Sequence, residues 1–115
     1  MIIKEKELEL KSFNNLRGGD GTVKMQYLIQ GDLLKDKCNL FSKIAIPVGG
    51  SIGLHDHTTD FEVYYILSGK GQVNDNGEIK EVNVGDVIYT SDGQKHDIKN
   101  IGNDELVFIA VVIKE

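Results

Sequence analysis

The chain holds three histidines, and two of them stand together as His55-Asp56-His57. Residues two apart on a β-strand point to the same face, so both imidazoles can reach one ion. Glu62 follows His57 by five positions, which puts it on the opposite face of an unbroken strand. Thr58-Thr59-Asp60 must therefore bend or bulge the chain if Glu62 is to join the pair. His96 belongs to a distant segment and must arrive from across the fold. Three neutral imidazoles and a carboxylate form a donor set for a divalent transition metal. Manganese or iron is the first expectation and zinc or nickel the second, because ligand type alone does not choose among first-row ions. An octahedral ion so held keeps open positions for water, oxygen or a bidentate ligand. The competing reading leaves the histidines as satisfied polar residues on a solvated sheet face and Glu62 as a surface carboxylate.

Short strands separated by turns have to position these groups. Residues 22–30 and 40–46 read as strands, and Pro47-Val48-Gly49-Gly50 breaks the second. Residues 62–67 are rich in β-branched and aromatic side chains. Residues 70–73 and 78–82 flank Asp75-Asn76-Gly77, a strong hairpin signal. Further strands are expected over 87–90, 96–100 and 106–113. The last is apolar at every position, so both its faces should be covered. A helix over part of residues 4–15 has a weak pattern. The whole reads as an all-β sandwich or barrel in a single domain, 1–115.

Composition excludes several classes. Eighteen acidic against thirteen basic side chains give a net charge of -5, the wrong sign for a nucleic-acid partner. No apolar stretch approaches signal-peptide or membrane-span length, so the expectation is a cytoplasmic protein without a membrane partner. A single cysteine, Cys38, permits no intrachain disulfide and no thiolate zinc site, and reads as a half-buried small hydrophobe.

The metal-ligating residues lie in two motifs that resemble those of the cupin superfamily. The first motif of that family is Gly, five residues, His, one, His, three or four, Glu, six, Gly, and here it reads Gly49, His55, His57, Glu62, Gly69. The second is Gly, five, Pro, one, Gly, two, His, three, Asn, and here it reads Gly85, Ser91, Gly93, His96, Asn100. Ser91 replaces the proline, which puts turn stiffness in doubt and not the metal site. The four glycines are expected at turns with positive φ. The resemblance spans residues 49–100, with its motifs at 49–69 and 85–100, and implies a double-stranded β-helix, or jelly-roll barrel. It also implies that His55, His57, Glu62 and His96 hold one metal ion.

Around that ion the sequence leaves choices. Asp56 and Asp60 read as solvated loop charges, with a hydrogen bond to a ligand as the alternative. Asn100 reads as a strand-end or turn residue. If Glu62 faces the lumen, so do Tyr64 and Ile66, while Val63, Tyr65 and Leu67 face outward and need cover. In the resembling small cupins that cover is a second subunit, joined by exchange of N-terminal strands, so the resemblance implies a homodimer with residues 1–21 as the exchanged arm. A covering loop is the alternative. Tyr64 fills the lumen or reaches a ligand on the metal, the one candidate catalytic side chain. Tyr89, Gln26 and Phe108 are further candidates for the pocket wall. Arg17 reads as a solvated loop residue, or as a clamp for a substrate carboxylate.

The family implied by the resemblance includes dioxygenases, isomerases and decarboxylases. A metal-dependent oxidoreductase of dioxygenase type acting on a small organic molecule is the leading expectation. The alternatives are a non-catalytic module that binds or senses a small ligand, an isomerase- or decarboxylase-type cupin, and a purely structural metal site.

Overall fold

The computed structural model describes residues 1–115. Ten strands form: β1 (Glu9–Asn14), β2 (Thr22–Tyr27), β3 (Cys38–Ile46), β4 (Ser51–Asp56), β5 (Asp60–Ser68), β6 (Gly71–Asp75), β7 (Glu78–Val82), β8 (Val87–Thr90), β9 (Lys95–Asn100) and β10 (Leu106–Lys114). They build a six-stranded sheet in the order β1-β2-β3-β10-β5-β8 and a four-stranded sheet in the order β4-β9-β6-β7. Every pairing is antiparallel. The architecture is the expected double-stranded β-helix. No helix is long and apolar enough to cross a membrane.

Strict alternation explains why these segments become half-buried strands. Along β5, Glu62, Tyr64 and Ile66 are buried while Tyr65 and Leu67 are exposed. In β10, Leu106, Phe108, Ala110 and Val112 are buried and the residues between them half-buried. The uniformly apolar β10 is thus fully covered on one face only, a departure from the expectation for both. Inward-facing residues of both sheets, among them Ile44, Ile46, Ile66, Val73, Ile98 and Phe108, meet in one core. Burying each such side chain is worth roughly 1.5–3 kcal/mol before the entropy of ordering it.

The turns follow their residues. Asn76 and Gly77 both take positive φ, 50° and 100°, which matches the right-handed twist of the β6–β7 hairpin. Gly49, Gly69, Gly85 and Gly93 all have positive φ, as expected. Gly69 has a second constraint, because a Cβ there would lie 2.7 Å from the Glu105 carbonyl oxygen. Cys38 is half-buried with a free thiol.

One expectation is overturned. Residues 4–15 form no α-helix: a single 3-10 turn at Glu5–Glu7 leads into β1, which pairs with β2 from Glu9↔Tyr27 to Asn14↔Thr22. The segment has no apolar stripe of helical period to bury, and the edge of β2 supplies its backbone with partners.

Candidate metal centre

The bend demanded by the sequence is present. β4 ends at Asp56, β5 starts at Asp60 in the other sheet, and His57 to Thr59 carry the chain across. His57 is tied in place by hydrogen bonds from its N–H to the Gln94 carbonyl and from the Gly93 N–H to its own carbonyl. β9 then lies beside β4, with His96 directly opposite His55. The four-stranded sheet thus supplies His55 and His96, the connection between the sheets supplies His57, and Glu62 comes from the facing sheet.

The four side chains converge. One ligand atom from each of His55, His57, Glu62 and His96 lies within 4.8 Å of all the others. Glu62 Oε1 is 2.9 Å from His96 Nε2, 3.0 Å from His57 Nε2 and 3.6 Å from His55 Nε2. The Nε2 atoms of His55 and His96 are 2.9 Å apart.

Hydrogen bonds on the far side of each ring fix what these atoms can do. His55 Nδ1 donates to the Gly53 carbonyl at 2.7 Å, and His57 Nδ1 donates to Asp60 Oδ1 at 2.6 Å. A carbonyl and a carboxylate can only accept, so Nδ1 carries the hydrogen and the neutral ring leaves Nε2 as a bare lone pair. His96 Nδ1 meets the Thr90 hydroxyl, which can take either role, at 2.9 Å. Buried Glu62 Oε1 has no hydrogen-bond partner. Lone pairs aimed at one another in a dry site are unfavourable unless a cation or a proton sits among them. That arrangement fits a divalent transition metal, and the rear hydrogen bonds are the kind that orient metal ligands.

The electrostatics run the same way. The Glu62 carboxylate, 3.0 Å from His57 Nε2, raises the pKa of His57 against the opposing effect of burial, with Asp60 adding to the rise. For Glu62, burial pushes upward, but the three imidazoles outweigh it and hold the carboxyl well below its ordinary range. Burial, reinforced by the Glu62 charge, drives the Tyr64 hydroxyl well above the usual phenol value, so it stays a donor.

These shifts give the metal-free chain a distinctive pH dependence. His57, with its raised folded value, contributes stability that is full below the ordinary imidazole value of 6.5 and is lost as pH rises through the folded value. Glu62, with its lowered value, contributes stability that is full above the ordinary 4.5 and is lost as pH falls. Metal-stripped protein should therefore melt highest between those two ordinary values. Metal binding, which needs unprotonated His57, should move the maximum to higher pH. Melting curves with and without chelator across pH 4 to 9 check this; coincident optima would contradict it.

Other sequence expectations fare unevenly. Asp56 is exposed, as expected, but Asp60 is no solvated bystander, since it holds His57 Nδ1. Asn100 is the expected turn residue: its amide donates to the Ile46 and Asp104 carbonyls and accepts from the Gly102 N–H. Tyr64 is buried, stacks on His96 with ring centroids 5.1 Å apart, and lines the cavity. Tyr89 is corrected: it faces outward, against Phe61. Gln26 is corrected as well, because Met25 takes the cavity wall and its neighbour falls on the other parity. Phe108 points inward but lies beneath Tyr64, in the core and off the wall. Gly53 and Thr90 went unforeseen. Thr90 pairs with Glu62 across β8 and β5, and the only sequence hint was a polar residue at the inward parity of Ile88.

The cavity over the ligand atoms has a volume of about 360 Å³. Leu16, Met25, Leu40, Ile44, Ile52 and Val112 give it an apolar wall, and Arg17 and Asn39 stand on it too. Such a chamber, apolar with a few convergent polar groups, suits a small molecule.

Comparison with known proteins agrees with this architecture. Residues 42–112 match the cupin domain family. The oxalate-binding protein of Thermotoga maritima is 41% identical over 113 residues, covering 98% of this chain and 93% of that protein. The crystal structure of a predicted oxalate decarboxylase from Thermotoga maritima superposes with a TM-score of 0.95 at 40% identity, covering all of both chains. A cupin domain of Schizosaccharomyces pombe, 18% identical, shares the fold with a TM-score of 0.73, over 81% of this chain and 61% of that one.

Proposed function

This chain belongs to the cupin family, and from that premise we propose that it binds a small dicarboxylate of the oxalate type on a divalent transition metal held by His55, His57, Glu62 and His96. The observation that carries the reading is the convergence of four ligand atoms within 4.8 Å at one end of a small, largely apolar cavity. A relative named for oxalate binding, 41% identical along nearly the whole chain, supports the choice of ligand. Manganese or iron remains the preferred ion, with zinc or nickel next. Bound there, such an ion would supply Lewis acidity toward carboxylate oxygens.

The chain's own residues favour binding over turnover. Besides His55, His57 and Glu62, the titratable groups on the cavity wall are Arg17, Asp60 and Tyr64. Asp60 is committed to His57, and burial makes the Tyr64 hydroxyl a weaker acid than an ordinary phenol. A decarboxylase needs a group that delivers a proton to the product, and none stands free. The dioxygenase-type expectation gains no support from relatives named for oxalate. The test is calorimetric titration of Mn(II)-loaded protein with oxalate, followed by assay for formate and carbon dioxide. Binding with unchanged oxalate supports the reading. Turnover would replace it with decarboxylation, and no binding with any first-row ion would refute it.

We also propose that the outer face of the six-stranded sheet meets a second copy of the chain. Tyr65, Leu67, Val87 and Tyr89 are 46%, 40%, 62% and 57% exposed on β5 and β8, beside half-buried Ile109 and Val111 of β10. Apolar sheet surface of this kind calls for cover, and a twofold pairing supplies it. Residues 1–21 would then serve as the exchanged arm. Sedimentation should give about twice the 12.8 kDa chain mass. Tyr65→Glu with Tyr89→Glu should reduce it to one chain; a monomeric unaltered protein would refute the pairing.

A further inference from the structure

Arg17 is the chain's only arginine, and the fold gives it no carboxylate. All the ion pairs are made by lysines and histidines. Yet it stands on the wall of the cavity that holds His55, His57, Glu62 and Tyr64. Its charge reaches the Tyr64 hydroxyl, where it opposes the upward push of burial and Glu62.

The placement is built. Arg17 adopts the left-handed region, φ 55° and ψ 28°, a conformation that costs a non-glycine residue about 1 kcal/mol or more and persists only where the surroundings impose it. Those surroundings are two glycines. A Cβ on Gly53 would collide with the Arg17 carbonyl oxygen, and a Cβ on Gly19 with the Ser51 carbonyl oxygen. The loop is thus pressed directly onto β4, two residues before the ligand His55. Asp20 and Ser51 lock it with two hydrogen bonds of 2.9 Å, Asp20 N–H to Ser51 Oγ and Ser51 N–H to the Asp20 carbonyl.

Formal charge shows what this achieves. Glu62 and Asp60 together cancel a divalent ion, so without Arg17 the cavity is neutral. With Arg17 it carries one positive charge. In the shallow depression that Arg17 and His55 share with Asp56 and Lys95, those last two cancel. An exposed guanidinium with free donors, on a backbone fixed beside a cavity that already ends in a cation site, is a recognition element for a carboxylate.

We propose that Arg17 selects the ligand's charge: its guanidinium takes carboxylate oxygens of a small dicarboxylate lodged against the four metal-ligating side chains. The inference rests on the oxalate-type reading above and adds the residue that discriminates anions from neutral molecules. The test compares unaltered protein with Arg17→Gln and Arg17→Lys, by calorimetry with Mn(II) on metal-free protein and with oxalate on Mn(II)-loaded protein. Mn(II) affinity should stay within about threefold in all three. Oxalate affinity should fall about 10- to 100-fold in Arg17→Gln, recover in part in Arg17→Lys, and lose some of its salt dependence when the charge is gone. Equal oxalate affinity in unaltered protein and Arg17→Gln would overturn the assignment while leaving the functional reading intact. A matching loss of Mn(II) affinity would also overturn it, by making Arg17 a support of the metal site. Unaltered Mn(II)-loaded protein that binds no oxalate would overturn the functional reading and this inference with it.

Discussion

Replacing Glu62 with glutamine is expected to weaken divalent metal binding by at least about 100-fold and to lower the stability of the metal-free chain as well. The two halves of this result have different causes. Glutamine keeps the shape of the side chain but removes the only anionic donor among the four. Mutating an outer hydrogen-bond partner of a ligand already costs roughly 10- to 100-fold in affinity, so losing the ligand charge itself should cost as much or more. A 100-fold loss corresponds to about 2.7 kcal/mol. Without metal, the three imidazoles hold the same carboxylate in its charged form against the cost of burial, so the metal-free chain draws stability from it that glutamine lacks. A neutral amide can donate to one Nε2 lone pair, which offsets only part of that loss.

Thermal melts with and without saturating Mn(II) separate the two effects. Metal present at about a thousandfold its dissociation constant stabilises by about 4 kcal/mol, which the variant should largely forfeit at the same concentration. In a chain of this size the roughly 2.7 kcal/mol forfeited is a difference of about 10 °C in the metal-induced shift. A Glu62→Gln protein that takes up Mn(II) like its parent would remove the carboxylate from the ligand set. A metal-free variant that melts as high as its metal-free parent would show that the charge contributes nothing to the fold without the ion.

The candidate ligands were legible in the sequence because their demands are local and periodic. His55 and His57 share a strand face by parity alone, and the misfit of Glu62 with that parity already required the break seen at Thr58 and Thr59. Nothing periodic marks the groups behind the rings. Asp60 reaches His57 only because the bend folds back on itself, and Thr90 reaches His96 only through the register of β8 against β5. A one-residue uncertainty in register turns every side chain over. That is why Gln26 stood where Met25 lines the cavity and why Tyr89 went inward on paper and outward in the fold. Arg17 was ambiguous for another reason. Its loop is placed by the absence of side chains at Gly19 and Gly53, a steric fact that appears only when the two backbones meet.

Phe108 ties the fold to the site, and removing its ring should damage both in a fixed order. It is fully buried, packs on Tyr64 with ring centroids 4.5 Å apart, and Tyr64 in turn lies nearly parallel to the His96 ring, 21° between planes. Phe108→Ala leaves a cavity in the middle of β10, between β3 and β5, and truncations of this kind cost about 3–5 kcal/mol. That is a large share of the stability of an ordinary small domain. The denaturation midpoint should therefore fall sharply, with an unchanged slope against denaturant if the compact state is intact. Metal affinity should fall too, but by less than in Glu62→Gln, because all four donors survive and only the packing that holds His96 is loosened. Mn(II) should accordingly rescue much of the lost melting temperature in Phe108→Ala and little in Glu62→Gln. The reverse ranking would mean that the aromatic stack, rather than the carboxylate, decides whether the imidazoles stay aimed at a common point.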